Sequence, residues 1–142
     1  MIKRTAEKRL VILHEMFKVV AVTGPRQSGK TTLVKKLFPT KPYVNLENPD
    51  IRQFSIDDPR GFLSQYPDGA ILDEAQRNPE LFSYLQEIVD NNSQKGQYIL
   101  TGSNNFLLNE KISQSLAGRV AYLSLLPFSL KEIENYFPEK TE

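Results

Sequence analysis

The residues with the clearest chemical pattern form the stretch Gly24–Thr31, which fits the Walker A pattern G-x-x-x-x-G-K-[ST]. In a loop of this kind, successive backbone N–H groups point at phosphate oxygens, and a helix that begins near Gly29 adds the positive end of its dipole. Lys30 would supply an ammonium group for the β- and γ-phosphates, and the Thr31 hydroxyl is the expected Mg²⁺ ligand. The residues predicted to bind nucleotide are Gly24, Pro25, Arg26, Gln27, Ser28, Gly29, Lys30, Thr31 and Thr32.

The segments on either side of this loop have the periodicity that the pattern needs. Val19–Thr23 is apolar and β-branched, as a buried parallel strand should be. Thr31–Phe38 places its apolar residues on one helical face, and Pro39 ends that helix. A glycine-rich turn can also serve only to reverse the chain, but the order strand, loop, helix favours a phosphate-binding loop.

A second cluster of chemical groups ends the apolar run Gly69–Glu74, where Asp73 and Glu74 are adjacent. In an open α/β sheet, ligands bind outside the carboxyl ends of the strands, so Asp73 should lie beside the phosphate loop. We expect Asp73 to hold Mg²⁺ together with Thr31, and Glu74 to activate the water that attacks the γ-phosphate. The alternative is that both acids only cap the next helix.

Polar residues also follow the predicted strand Gln97–Leu100, in the run Thr101–Asn105. Thr101 and Ser103 are the preferred candidates for sensing the γ-phosphate or positioning water, because they are closest to the strand end. Glycine, serine and asparagine also make turns and helix caps, and that alternative stays open.

Arg119 begins the last apolar run of the chain, Val120–Leu125. A guanidinium group here could reach nucleotide phosphates of its own chain or of a neighbouring subunit, and an arginine supplied to the transition state can be worth about 10³ to 10⁵ in rate. A salt bridge at the edge of a strand is the alternative. The predicted catalytic residues are Lys30, Glu74, Thr101, Ser103 and Arg119.

Composition limits the remaining possibilities. The 142 residues, 39% hydrophobic and 25% charged, fit one compact domain, and a net charge of +1 gives no argument for nucleic acid. The chain has no cysteine, which excludes disulfides and permits a cytoplasmic location. Charged residues interrupt the N-terminal stretch, so we expect no secretion signal and no membrane span.

The N-terminal stretch instead predicts an amphipathic helix over about residues 5–17, with Leu10, Leu13, Met16 and Phe17 on one face. We therefore divide the chain into an N-terminal helical segment, residues 1–18, and a core, residues 19–142. Within the core, residues 42–47 read as a second strand, and the polar stretch 48–65 as two short helices.

The chain resembles the ATPase core of an AAA-like group of P-loop proteins, over roughly residues 17–136. The residues that carry the resemblance are Gly24–Leu33, Ile71–Gln76, Ile99–Ser103, Leu116–Arg119 and Leu126–Ser129, in this order. The resemblance implies a three-layer α/β fold, RecA- or AAA-like, with a mainly parallel five-stranded sheet in the order 5-1-4-3-2. It also implies Mg²⁺-dependent ATP hydrolysis.

Members of this group usually continue into a helical lid and a C-terminal domain of restriction-endonuclease type. This chain ends at Glu142, so we expect both to be absent and hydrolysis by the isolated core to be weak. The alternative function is a regulatory module that binds nucleotide and hydrolyses almost none. A small-molecule kinase is disfavoured, because no arginine-rich lid is visible.

ATP and ADP are the predicted small-molecule partners. A homo-oligomer, and a protein or nucleic-acid client, are left open. Lys35, Lys36 and Lys41 form a small basic cluster, but such clusters are usually solvated helix faces.

Overall fold

Five parallel strands form the centre of the molecule in the computed structural model, which describes residues 2–25, 29–103 and 105–125. Their spatial order is β2-β3-β4-β1-β5. This is the predicted order 5-1-4-3-2 read from the other side, so the fold prediction is confirmed. The strands are β1 (Val19–Thr23), β2 (Tyr43–Asn45), β3 (Ala70–Asp73), β4 (Tyr98–Gly102) and β5 (Val120–Ser124).

In the described residues, six α-helices and one short 3₁₀ turn, Ala75–Arg77, precede or connect the strands. Among the described residues, none of these helices is long and apolar enough to cross a membrane. The helices are α1 (Ile2–Met16), α2 (Lys30–Leu37), α3 (Pro49–Asp57), α4 (Pro59–Ser64), α5 (Leu81–Asp90) and α6 (Asn105–Ser115).

The two faces of the sheet are covered by different helices, because side chains alternate between faces along each strand. On one face, Val20, Val22 and Ile99 pack against Leu10 of α1 and against Leu33 of α2. On the other, strand residues pack against α4, α5 and α6 through Phe62, Leu63, Leu81, Phe82, Leu85, Val89, Leu108, Ile112 and Leu116. The result is the predicted three-layer arrangement.

The N-terminal helix differs from its prediction at both ends. It runs from Ile2 to Met16, and Leu10 is fully buried as expected. Met16, which was placed on the same apolar face as Leu10, is 58% exposed, so that face is not buried along its whole length.

All five strands run in the same direction, so the loops that follow them meet at one edge of the sheet. The phosphate loop leaves β1 there, Glu74 follows β3, and Ser103 follows β4. This carboxyl edge is where the predicted chemical groups converge.

Candidate active site

Helix α2 begins without a side-chain cap. Its N-cap residue, Gly29, has φ +83°, a left-handed conformation that glycine adopts without strain. The N–H of Leu33 donates to the Gly29 carbonyl at 2.9 Å, which is the bond expected after the first helical turn. A helix start with no capping side chain and with its dipole end aimed at a loop is suited to an anion.

Lys30 is the first residue of α2 and is only 3% exposed. Its Nζ lies 3.4 Å from the carbonyl oxygen of Pro25, to which it donates. The ammonium group is therefore buried and lies next to the backbone of Pro25. Arg26, Gln27 and Ser28 of that loop, which were predicted to bind nucleotide, lie outside the described residues.

Asp73, at the end of β3, is 6% exposed and accepts hydrogen bonds from three hydroxyl groups. Thr31 Oγ1 donates to Oδ2 at 3.2 Å, Tyr43 Oη donates to the same oxygen at 2.5 Å, and Thr101 Oγ1 donates to Oδ1 at 2.5 Å. Thr31 comes from α2, Tyr43 from β2 and Thr101 from β4. Three elements that are distant in sequence thus fix one carboxylate at the carboxyl edge.

The pair Thr31 and Asp73 has the chemistry that Mg²⁺ requires. Mg²⁺ prefers oxygen ligands and is usually held by one or two protein groups, with substrate phosphates and water completing its coordination. A hydroxyl and a carboxylate oxygen 3.2 Å apart, beside an uncapped helix start, provide such a pair. The described residues hold no cluster of three or more carboxylates, histidines or cysteines that could bind a metal by themselves, which is compatible with an ion shared with phosphate.

Tyr43 was missed in the sequence, although its hydroxyl is part of the site. Burial raises the pKa of the Tyr43 hydroxyl well above its ordinary value, and the hydrogen bond to Asp73 raises it further. The phenol therefore stays protonated and remains a donor to Asp73. The available signal was a tyrosine at the start of the strand next to β3, and only the parallel pairing of β2 with β3 reveals its target.

Glu74 follows Asp73 and is 5% exposed. Its Oε1 accepts from Gln76 Nε2 at 2.7 Å and from Ser103 Oγ at 3.2 Å. The predicted sensing residues thus contact the two acids directly: Thr101 bonds to Asp73 and Ser103 to Glu74. Gln76 was not singled out in the sequence.

Arg119 is not brought to this edge. It precedes β5, so it lies at the amino edge of the sheet, and Val120 beside it pairs with Val19 at the beginning of β1. Its Nε and Nη2 donate to the carboxylate of Asp90 at 2.6 and 3.0 Å. The hypothesis that Arg119 contacts the nucleotide of its own chain is therefore not supported by the geometry; the salt bridge that was its alternative is what the structure contains.

The remaining predicted residues are placed as follows. Gly24 is buried at the end of β1, Pro25 is exposed in the loop, and Thr32 is exposed on α2. The structure therefore brings together Gly24, Pro25, Gly29, Lys30, Thr31, Asp73, Glu74, Thr101 and Ser103.

The sequence and the fold are similar to those of known proteins. The family model AAA_14, described as an AAA domain, matches residues 16–134. Uncharacterized proteins of Mycobacterium tuberculosis and Mycobacterium bovis are each 35% identical over 133 residues, which cover 92% of this chain and 30% of the relative. The chain thus spans about a third of the length of these curated relatives.

Solved structures share the fold at low sequence identity. A Walker-type ATPase of Pyrococcus abyssi aligns with a TM-score of 0.63 and 19% identity over 96% of this chain and 58% of that one. Domain III of the replication initiation protein DnaA from Thermotoga maritima aligns with a TM-score of 0.55 and 18% identity, covering 84% of this chain and 60% of that one.

Proposed function

Because the chain belongs to the AAA domain family, we propose that it binds ATP with Mg²⁺ at the carboxyl edge of its sheet and hydrolyses it slowly. The observation that carries the proposal is the meeting of Thr31 and Asp73 at 3.2 Å, beside the buried Lys30 and the uncapped start of α2. Lys30 and the start of α2 can bind the negative phosphate oxygens, including the charge that develops in the transition state. Thr31 and Asp73 can bind a divalent cation.

Each residue of the site has a role that follows from its chemistry. Lys30 and the backbone N–H groups at the start of α2 bind phosphate oxygens. Thr31 and Asp73 would hold Mg²⁺, which would supply positive charge to offset that of the phosphates. Glu74 acts as general base toward the attacking water, and Thr101 and Ser103 fix the orientation of Asp73 and Glu74.

In the proposed reaction, water attacks the terminal phosphate of ATP directly. The oxygen of water forms a bond to the γ-phosphorus, and the bond from that phosphorus to the bridging oxygen breaks, so that ADP leaves with the electron pair. The proton of the water passes to the Glu74 carboxylate and then to solvent. The products are ADP and inorganic phosphate.

Assembly into a homo-oligomer belongs to this proposal as well. Arg119 lies on the surface at the amino edge, so it is a candidate for the nucleotide of a neighbouring subunit only. A cytoplasmic location is part of the proposal and is permitted by the absence of cysteine from the chain. A protein or nucleic-acid client is left open.

The test measures Mg²⁺-dependent ATP binding and phosphate release by the wild type, Lys30→Ala and Glu74→Gln, over a range of protein concentrations. Binding lost in Lys30→Ala and turnover lost in both variants supports the ATPase. Turnover per chain that rises with concentration and falls in Arg119→Ala supports a site completed by a neighbour. Binding without turnover in every sample contradicts hydrolysis and leaves the nucleotide-binding regulatory module.

A further inference from the structure

The turn after β3 brings two polar side chains into contact. Glu74 has φ +55° and ψ +46°, and it is the one non-glycine residue with positive φ in the described part of the chain. A left-handed backbone is unfavourable for a residue with a Cβ and is kept where the surrounding structure demands it. Here it turns the chain from β3 into the 3₁₀ turn that carries Gln76.

The hydrogen bonds on Glu74 are not shared equally by its two oxygens. Oε1 accepts from both Gln76 Nε2 and Ser103 Oγ, while Oε2 accepts none from the side chains and backbone groups that the structure describes. Two donors on one oxygen fix the rotation of a carboxylate and leave the other oxygen able to accept a proton. The shorter of the two hydrogen bonds, 2.7 Å between Gln76 Nε2 and Glu74 Oε1, is the one from Gln76.

The amide of Gln76 has one orientation available. Its Oε1 is buried without a partner, and a Cβ added at Gly102 of β4 would overlap that oxygen. Rotating the amide by half a turn would place Oε1 against the carboxylate oxygen of Glu74, where two acceptors repel each other. The amide is therefore held between the Glu74 carboxylate and the backbone at Gly102, with its N–H₂ toward Glu74.

Stability alone does not account for a glutamine at this position. Gln76 is 9% exposed, and a buried acceptor with no donor destabilises the folded chain. An apolar side chain of similar size would fill the same space without that penalty. What the amide provides that an apolar group cannot is the hydrogen bond to Glu74.

We propose that Gln76 is a positioning residue for ATP hydrolysis, holding Oε1 of Glu74 so that Oε2 faces the attacking water. This inference rests on the proposed ATPase function, in which Oε2 receives the proton of that water. Gln76 itself contacts neither phosphate nor metal in this role. Removing it should move the Glu74 carboxylate farther from the attacking water than proton transfer tolerates, without disturbing the groups that bind nucleotide.

The test compares Gln76→Leu with the wild type and with Gln53→Leu, a control that makes the same exchange on the exposed surface of α3, where Gln53 donates to Asp57. We measure kcat and KM for Mg²⁺–ATP, the Kd of a non-hydrolysable ATP analogue, and the melting temperature. We expect kcat of Gln76→Leu to fall by about 10- to 100-fold, with KM and Kd within about twofold of wild type. The melting temperature should be unchanged or higher, because the variant removes an unsatisfied buried acceptor.

Other results overturn the proposal and can be told apart. If the wild type is active and Gln76→Leu has the same kcat, the Gln76 amide is not required to position the Glu74 carboxylate. A fall in kcat accompanied by an equal loss of nucleotide affinity and of melting temperature shows a structural role. A wild type that binds ATP and releases no phosphate contradicts the ATPase itself, and the role of Gln76 with it.

A second variant covers the case in which Gln76→Leu does not fold. Gly102→Ala leaves Gln76 and Glu74 in place, but its methyl group pushes on the Gln76 amide oxygen. It should lower kcat with little change in KM or in the Kd of the analogue. Gly102→Ala with wild-type kcat would contradict the proposal independently.

Discussion

The two edges of the sheet use charged side chains in opposite ways. At the amino edge, Lys18 donates to the carbonyl of Val89 and Lys41 to that of Gly96, while Arg119 pairs with Asp90. At the carboxyl edge, Asp73 and Glu74 are buried and collect hydroxyl and amide donors. The cations of the amino edge link neighbouring parts of the fold, whereas the two acids of the carboxyl edge are buried and held in place by hydroxyl and amide donors.

The helix starts differ in whether a side chain caps them. Asn48 caps α3 by accepting from the N–H groups of Asp50 and Ile51, and Asp58 caps α4 by accepting from Gly61. No side-chain hydrogen bond caps α2 or α5, and of these two helices α2 is the one that begins at the phosphate loop. An uncapped start at that loop leaves its backbone N–H groups for the expected phosphates.

The largest expected change in stability comes from Gly69→Ala at the amino edge. Gly69 has φ +97°, and a Cβ there would overlap the carbonyl oxygen of Gln97. We expect a loss of at least about 3 kcal/mol in the free energy of unfolding, measured by urea titration. Gly29→Ala is the matched control at the carboxyl edge: its φ is also positive, but nothing lies within 4 Å of the added Cβ, so it should destabilise by only about 1–2 kcal/mol. Equal losses would contradict the contrast between the edges.

Lys30→Ala should produce the largest change in ligand binding. Its ammonium group is a buried cation beside the start of the phosphate loop, and we expect ATP affinity, measured calorimetrically, to fall by about 100-fold or more, or ~3 kcal/mol. Lys41→Ala, at the other edge, should bind ATP normally and lose about 1 kcal/mol of stability, because the carbonyls of Gly96 and Gln97 lose a donor. ATP binding weakened equally in both variants would remove the distinction.

Thr101→Val should have a smaller effect. The hydroxyl of Thr101 is fully buried, and its loss leaves Oδ1 of Asp73 without that donor. We expect the free energy of unfolding to fall by about 1–2 kcal/mol and the Mg²⁺ dependence of ATP binding to weaken. Thr101→Ser keeps the hydroxyl and should keep the Mg²⁺ dependence of ATP binding, whereas wild-type Mg²⁺ dependence in Thr101→Val would contradict a role for the hydroxyl.

The smallest predicted effect is a pH dependence at the amino edge. Burial lowers the pKa of His14, and nearby Lys41 lowers it further, against weaker opposing effects of the Gly96 carbonyl and Glu15. Because the unfolded chain then binds the proton more readily than the folded chain, stability should decline as pH falls below about 6.5. His14→Phe should flatten that decline in urea titrations from pH 8 to 5, and an unchanged slope would exclude His14 as its source.

The sequence was a good guide to the fold because its strands are short apolar runs followed by turn residues. β1 and β3 were recognised from Val19–Thr23 and from the run that ends at Asp73, and the order of all five strands followed from the family resemblance. The exposure of Met16 could not be predicted, since periodicity places apolar residues on one helix face but does not show how much of that face is covered.

The site was only partly predictable. Motif spacing in the sequence was enough to predict four residues, which the structure brings together: Lys30, Thr31, Asp73 and Glu74. Tyr43 and Gln76 could not be found in this way, because their roles depend on the pairing of β2 with β3 and on the left-handed turn at Glu74. The role of Arg119 could not be decided from the sequence either. An arginine can bind phosphate, but the position of Arg119 before β5 places it at the amino edge, where it pairs with Asp90.

One measurement tests the central claim, that chemistry belongs to the carboxyl edge, most directly. Phosphate release at saturating Mg²⁺–ATP is compared for the wild type, Glu74→Gln and Glu87→Gln, the last an exposed glutamate that pairs with Arg60. We predict that Glu74→Gln lowers kcat by about 10²- to 10⁴-fold while still binding ATP, and that Glu87→Gln matches the wild type. Turnover in Glu74→Gln equal to that of the wild type would contradict the account.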